Sequence, residues 1–180
     1  MLCAVARMIQ LSYQAAFDPF HAMYRGLRIL EVAGPTKPLP VDHARILDFY
    51  LLFPFRISEI RLTPQHRKFR RLAAAYEASR PYGDRPDDAQ LFDRMKPMQI
   101  AALETLAEKK IIDVQKWRSG SVVRTEESLP LELALRVFKA NEAESDLMEA
   151  ISALGSEYHL LGQNGLKDRT GLLEYRYDAV

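Results

Sequence analysis

Residues 43–57, HARILDFYLLFPFRI, decide the fold of this chain. Within residues 46–55 only Asp48 and Pro54 interrupt a run of isoleucine, leucine, phenylalanine and tyrosine. On a helix these apolar side chains lie on nearly every side, which is typical of a helix at the centre of a core or shared with a partner. The run cannot span a bilayer, because a spanning helix needs about 20 apolar residues. We therefore predict a central core helix.

Part of this helix is also a candidate contact surface for another protein, because apolar side chains lie on more than one of its sides. We expect Asp42 to cap the start of the helix and Pro54 to end or kink it. The candidate interface residues are Phe49, Leu52, Phe53 and Phe55.

Length and composition favour one globular domain of mainly α (α+β) class. The chain has 180 residues, 48% apolar and 27% charged, with a net charge of +1. A chain of this size buries roughly 70% of its unfolded surface, so its core needs no disulfide or metal. We predict a compact domain over residues 8–180 after a flexible extension at 1–7. Helical parts at 18–80 and 129–155 surround a winged-helix-like unit at 88–125.

Cysteine usage and the first residues bear on the compartment. Cys3 is the single cysteine, which excludes an internal disulfide and any zinc motif built from several cysteines. The first residues, MLCAVAR, lack the basic start and the long apolar core of a signal peptide. We expect a cytoplasmic protein without membrane contact.

Several helices begin at a capping residue followed by proline. Asp18 and Pro19 begin a helix that we predict to run to about Val32. Thr63 and Pro64 begin another helix, whose exposed side is basic. The remaining predicted elements are helices at 88–95 and after Pro97, a helix from Pro130, and short strands at 9–17 and 173–177.

The helix from Pro130 carries an apolar face. Its members recur at helical spacing. They are Leu131, Ala134, Leu135 and Phe138. After the polar segment 139–146, which is either exposed helix or a break, the apolar stripe resumes at Leu147, Met148, Ile151 and Leu154.

Residues 98–125 have the order of a winged helix-turn-helix. A helical stretch precedes IIDVQKW, RSG and SVVRT, which we interpret as strand, tight turn and strand. Such a unit can lay its wing on the DNA backbone, although it can equally bind protein. Glu104 and Glu108 disfavour phosphate contact by the preceding helix. The candidate DNA- or partner-binding residues around the turn are Lys116, Trp117, Arg118 and Arg124.

A second basic cluster lies at residues 66–71, HRKFRR. Its exposed side chains suit nucleic acid or an acidic partner, although they also suit an ordinary solvated face. Phe69 falls on the apolar stripe, so we expect it in the core. The candidate binding residues here are Arg67, Lys68, Arg70 and Arg71. By contrast, residues 126–149 hold seven acidic residues against two basic ones.

The sequence has no recognisable catalytic or metal motif. His21, His43, His66 and His159 are far apart, and none has a partner at metal-ligand spacing. A nucleophile elbow, a P-loop and a dinucleotide-binding glycine motif are also absent. His43 and Asp48 either form a hydrogen-bonded pair or are merely adjacent. We expect a protein that is not an enzyme and that binds no metal or cofactor.

Four segments in a fixed order carry a resemblance to a known family. They are FDPFHAMYRGLRIL at 17–30, DHARILDFYLLFPF at 42–55, QIAALETLAEKKII at 99–112 and GLKDRTGLLEYRYD at 165–178. Together they resemble the middle-component proteins of bacterial three-component ABC-ATPase conflict systems, the group that includes Lamassu-type antiphage defence.

The resemblance implies an accessory subunit that bridges or stabilises an SMC-like or Rad50-like ABC ATPase and a nuclease effector. It implies no catalytic residues. It implies contact with double-stranded DNA only through the complex, and it leaves a homodimer open. The alternative hypothesis is a winged-helix transcription regulator that binds DNA alone as a dimer.

Overall fold

The structure is a computed structural model that describes residues 15–33, 37–79 and 86–174. Its mainly helical content and small antiparallel sheet confirm the predicted fold class. No helix in these ranges is long and apolar enough to cross a membrane. The helices are α1 (Pro19–Val32), α2 (Val41–Leu52), α3 (Phe69–Ala78), α4 (Asp88–Glu108), α5 (Val114–Arg118), α6 (Leu131–Ala143), α7 (Ser145–Ser156) and α8 (Leu166–Thr170). The strands are β1 (Leu39–Pro40) and β2 (Ser121–Val122).

Helix α1 has the predicted bounds. Asp18 is its N-cap in extended conformation, and its carboxylate accepts a hydrogen bond from the backbone N–H of Phe20 at 2.8 Å. Pro19 occupies the first turn, where its missing N–H would have no intrahelical partner. The aspartate cap and the proline therefore begin the helix as the sequence predicts.

Helix α2 is the predicted central helix. Every residue from 43 to 51 is buried, and α2 packs against α1, α4 and α7. It ends at Leu52, before Pro54 begins a 3-10 helix at Pro54–Glu59. The predicted Asp42 cap is wrong. The N-cap is Pro40, and the carbonyl of Gly120 accepts the N–H of Val41 at 3.0 Å, so a tertiary contact supplies the partner for the first helical donor.

Helix α4 is continuous, which corrects the predicted break between residues 95 and 97. Pro97 lies inside the helix with its ring exposed. The helix continues through it because buried side chains on both sides, among them Phe92 and Leu106, anchor the two halves in the same core. The cap is Asp87, which accepts the N–H of Gln90 at 2.9 Å, and not Asp88.

The predicted hairpin forms only at its base, where residues 111–113 pair antiparallel with residues 123–125. The segment expected as its first strand contains α5, whose cap Asp113 accepts the N–H of Lys116 at 2.9 Å. Strand β2 instead pairs antiparallel with the distant β1, with Leu39 opposite Val122. A single bridge joins Ile112 to Arg124. Capping by Asp113 and pairing with a remote segment therefore prevail over local strand propensity.

The remaining expectations concern short elements. The helix expected at Thr63 starts as a 3-10 helix (Pro64–His66), and α3 begins at Phe69. Residues 15 and 16 are helical rather than extended, and the rest of the predicted strand 9–17 is split between the turn at 17 and residues outside the described part. Residues 173–174 form no strand, and residues 175–177 of that predicted strand also lie outside the described part. The polar segment 139–146 contains a break at Glu144, between α6 and α7. The apolar stripe that follows it is buried as Leu147, Met148, Ile151 and Leu154.

Candidate functional site

Helix α6 is apolar on two opposite sides. Val137 is buried, and Leu133 is half-buried against the core. Three residues of the predicted face, Leu131, Leu135 and Phe138, lie on the other side, where they are 74%, 47% and 58% exposed. The fourth, Ala134, is half-buried. The spacing of the three exposed residues, four and then three positions, places them on one stripe. We call these three residues the outer stripe; it is apolar surface that the fold does not cover.

Polar contacts fix the inner side of α6 to α1. Arg28 donates from Nε to Oδ1 of Asn141 at 2.8 Å and from Nη2 to Oε2 of Glu144 at 2.7 Å. Asn141 returns a hydrogen bond from its amide to the carbonyl of Arg28 at 3.2 Å. Tyr24 donates to the carbonyl of Arg136 at 3.1 Å. These contacts hold the helix so that the outer stripe points away from the core.

A groove of about 940 Å³ runs beside this helix, between α6, α7 and the segment that joins the Pro64–His66 turn to α3. Its lining is apolar at the centre and charged at the edge. Phe138 belongs both to the groove lining and to the outer stripe, so the two surfaces are continuous. The apolar lining residues are Val32, Phe69, Leu129, Ala134, Val137, Phe138, Met148 and Ala153.

The charged lining is predominantly acidic. One ammonium group, that of Lys68, contacts the carboxylate of Glu149. Glu157 accepts from the amide of Gln65 at 3.0 Å. The four carboxylates that line the groove are those of Glu31, Glu142, Glu149 and Glu157. An excess of negative charge beside an apolar floor favours cationic occupants.

His66 lines the groove and belongs to a hydrogen-bonded cluster. Its Nδ1 is 2.9 Å from the Tyr158 hydroxyl and 3.0 Å from Thr63 Oγ1, and its Nε2 is 3.4 Å from Glu157. Its ring stacks on Phe69 at 5.4 Å. The imidazole is buried, so the cluster ties the turn before α3 to the segment after α7 and leaves little access for a substrate.

A second polar cluster lies in the core, around α2. Arg25 donates to both oxygens of Asp48, at 2.6 and 3.2 Å, and Gln99 donates to the same carboxylate at 2.8 Å. Arg45 completes it by donating to Gln99 at 3.0 Å. His43 does not pair with Asp48, because its Nε2 contacts the carbonyl of Leu154 at 2.9 Å. Burial lowers the pKa of His43, which favours the neutral imidazole.

The interface predicted on the central helix is largely in the core. Phe49 and Phe53 are buried, and Leu52 and Phe55 are half-buried. The guanidinium of Arg56 stands over the rings of Phe49, Phe53 and Phe55 at 5.4–5.8 Å and contacts Asp88. These aromatic rings, predicted to contact a partner, therefore pack around an arginine of the same chain.

The predicted residues around the turn after α5 separate into two kinds. Lys116 and Arg118 are exposed on α5, whereas Trp117 is half-buried against the core. Arg124 donates to the backbone carbonyls of Ile111, Thr125 and Glu127, so its guanidinium stabilises the loop after β2. The structure leaves two of these four side chains exposed.

In the other basic cluster Arg67, Arg70 and Arg71 are exposed, while Lys68 faces the groove. Within the described ranges, no group of three or more histidine, cysteine, aspartate or glutamate residues is placed to hold a metal ion. The outer stripe was not anticipated as a surface. The signal was present, however, because residues 131–143 carry apolar side chains on two sides at helical spacing.

These features define a helical protein whose candidate site is an interaction surface, formed by the outer stripe and the adjoining groove. The sequence matches the family model of the ABC-three component (ABC-3C) system Middle Component 5 over residues 11–178. The chain belongs to this family, as the resemblance of its four segments predicted. A middle component of a multi-component ABC system is an accessory subunit with partner proteins. No curated protein and no solved structure matches the chain.

Proposed function

We propose that this chain is the non-enzymatic subunit that joins an SMC-like or Rad50-like ABC ATPase to a nuclease effector, as in Lamassu-type antiviral defence in the bacterial cytoplasm. The observation that carries the proposal is the outer stripe of Leu131, Leu135 and Phe138 on a helix otherwise anchored to the core. An exposed apolar stripe of this kind marks a protein-binding surface. Family membership supports the view that the partners are the other components of the system.

Co-expression with the ATPase and the effector of the same system tests this proposal. We expect the three chains to purify together. The double substitution Leu131→Ser and Leu135→Ser should weaken the association about tenfold or more, because buried interface anchors each contribute over 1 kcal/mol. Leu161→Ser is the matched control, since Leu161 is 45% exposed and lies outside both the outer stripe and the groove lining. Failure of the unmodified chain to associate with either partner would reject the proposal.

The alternative, a winged-helix regulator that binds DNA alone, is supported by the exposed Lys116 and Arg118. The shortness of the pairing between residues 111–113 and 123–125, with α5 in place of the rest of the first strand, weakens it. Tight, salt-sensitive binding of the isolated chain to a palindromic duplex would favour this alternative. Charge reversal of Lys116 and Arg118 should then weaken binding to all duplexes alike. Weak binding even at low salt argues against it.

A further inference from the structure

The groove beside α6 has the dimensions of a helical ligand. Ser145, Met148, Ser152 and Ser156 line it at helical spacing along α7. At 1.5 Å per residue these 12 residues extend the groove over about 16 Å, or roughly three helical turns. A groove that follows a helix for this length accommodates another helix, whose apolar side chains at i, i+3 or i+4, and i+7 insert between its walls.

The lining specifies the chemistry of that helix. Phe69 and Met148 are 3% and 4% exposed and form part of the apolar floor. Glu149 contacts Lys68, and Glu31 lies 4.0 Å from Nε of Arg124. The excess of negative charge at the rim therefore comes from Glu142 and Glu157. Among the described residues, Glu142 is exposed without a salt-bridge partner within 4 Å. An occupant with lysine or arginine beside its apolar stripe would match both features.

A small molecule or a second copy of this chain matches these features less well. Small-molecule sites enclose most of the surface of their ligand, whereas this groove opens to solvent along a rim of exposed glutamates. In a second copy, the basic helix α3 has its apolar residues Phe69 and Ala73 already buried. The other candidate, α6, balances Glu132 and Glu142 against Arg136 and Lys139 and so would not neutralise the rim.

We propose that the groove binds an amphipathic helix of a partner subunit, with apolar residues on one side and lysine or arginine residues beside them. The proposal rests on the proposed function in that the helix belongs to another component of the system. It adds the type of element that binds and the sign of its charge. The helix lies along α7, and Phe138 contacts both it and the surface that covers the outer stripe.

The first experiment uses a fluorescein-labelled 14-residue peptide of leucine and lysine in amphipathic helical order, with a counterpart in which glutamate replaces lysine. We expect the full chain to bind the lysine peptide at least about tenfold more tightly, with affinity that falls as salt rises. Phe138→Ser and Glu142→Lys should each weaken binding about tenfold. The controls Leu161→Ser and Glu126→Lys alter exposed residues outside the groove and should bind normally. Equal binding of both peptides, or normal binding by the groove variants, would overturn the proposal.

The second experiment repeats the co-purification with the groove variants. If the unmodified chain associates with its partners and Phe138→Ser and Glu142→Lys do so equally, the groove proposal fails while the proposed function stands. If the unmodified chain binds neither partner, the proposed function fails whatever the peptides do. A dimer in light scattering that Phe138→Ser converts to monomer would identify a second copy as the occupant and overturn the proposal.

Discussion

Asp48 is the acceptor on which the buried polar cluster depends. It receives hydrogen bonds from Arg25 and Gln99, and the side chains of Arg25 and Asp48 are 7% and 8% exposed. A buried pair adds little net stability, because desolvation of both charges offsets their attraction. We infer that it contributes specificity, because an arrangement of the helices that separates the two partners leaves a charge buried without compensation. The cluster thereby fixes the alignment of α1, α2 and α4.

Asp48→Asn should therefore destabilise the fold by about 3–5 kcal/mol, since Arg25 loses its carboxylate. Glu149→Gln is the matched control. It breaks the pair with Lys68, in which both side chains are 57% exposed, and exposed pairs contribute about 0–1 kcal/mol. Urea unfolding followed by circular dichroism measures both free energies. Equal losses in the two variants would contradict a special role for the buried pair.

His43 makes stability depend on pH with a definite sign. Burial lowers its pKa in the folded chain below the usual 6.5. As the pH falls through 6.5, the unfolded chain therefore takes up the proton before the folded chain, and folding stability declines. The stability is fully present above pH 6.5 and is lost progressively until the pH reaches the lower pKa of the folded state.

His43→Gln should reduce this loss, because glutamine does not titrate and can still donate to the Leu154 carbonyl that His43 contacts. We expect the difference in unfolding free energy between pH 8 and pH 5.5 to be smaller in the variant than in the unmodified chain. Urea titrations at the two pH values measure it. An identical pH dependence in both proteins would show that His43 does not contribute.

At the scale of elements, α1 and α7 approach closely through Gly155. A Cβ added there would lie 2.8 Å from the Cβ of Ala33 and 3.2 Å from Cδ1 of Leu47. Gly26 on α1 is different, because its added Cβ would lie at an ordinary 3.5 Å from Leu106. Because Gly155 has no side chain, α7 lies close both to Ala33, at the end of α1, and to Leu47 in α2.

The same substitution should therefore have opposite effects at these two positions. Gly26→Ala should stabilise the fold by about 0.5–1 kcal/mol, because alanine lowers the entropic cost of helix formation. Gly155→Ala should destabilise it by about 1–3 kcal/mol, because the new methyl group overpacks the contact with Ala33. Melting temperatures of the two variants check the difference in sign. A stabilising Gly155→Ala would show that α7 can move away from α1.

At the scale of the whole molecule, the fold places acidic and basic surfaces on different elements. The carboxylates of the groove lie on α1, α6, α7 and the residue after α7. By contrast, Arg67, Arg70 and Arg71 are exposed at and before α3, beside Lys68 and Phe69 of the groove. The net charge of +1 conceals this arrangement. An accessory subunit with two surfaces of different chemistry is able to contact two different partners.

The outer stripe should also affect the isolated protein. Leu131→Ser with Leu135→Ser should leave the unfolding free energy within about 0.5–1 kcal/mol, since both side chains are exposed in the fold. It should reduce non-specific association at high protein concentration, which forms no defined dimer, because exposed apolar patches promote such association. Static light scattering across a protein concentration series measures the second effect. A large loss of stability would indicate that α6 packs through this side.

The sequence by itself determined the elements whose signals are local. The start of α1 follows from Asp18 and Pro19, the end of α2 from Pro54, and the buried stripe of α7 from its apolar period. The order of four hydrophobic segments was sufficient to indicate the family. Caps, prolines and periodicity act within a few residues, so they can be interpreted without the fold.

Only the tertiary structure decided which partners these elements meet. Strand β2 pairs with β1, in which the partner residues lie 81 and 83 positions earlier. Helix α4 continues through Pro97, and one apolar face of α6 remains outside the core. The candidate site depends on this exposed face of α6. The periodicity of α6 alone could not predict which of its two apolar sides would be exposed. Either apolar side of the helix could have faced the core, and the contacts of Arg28 with Asn141 and Glu144 select the inner one.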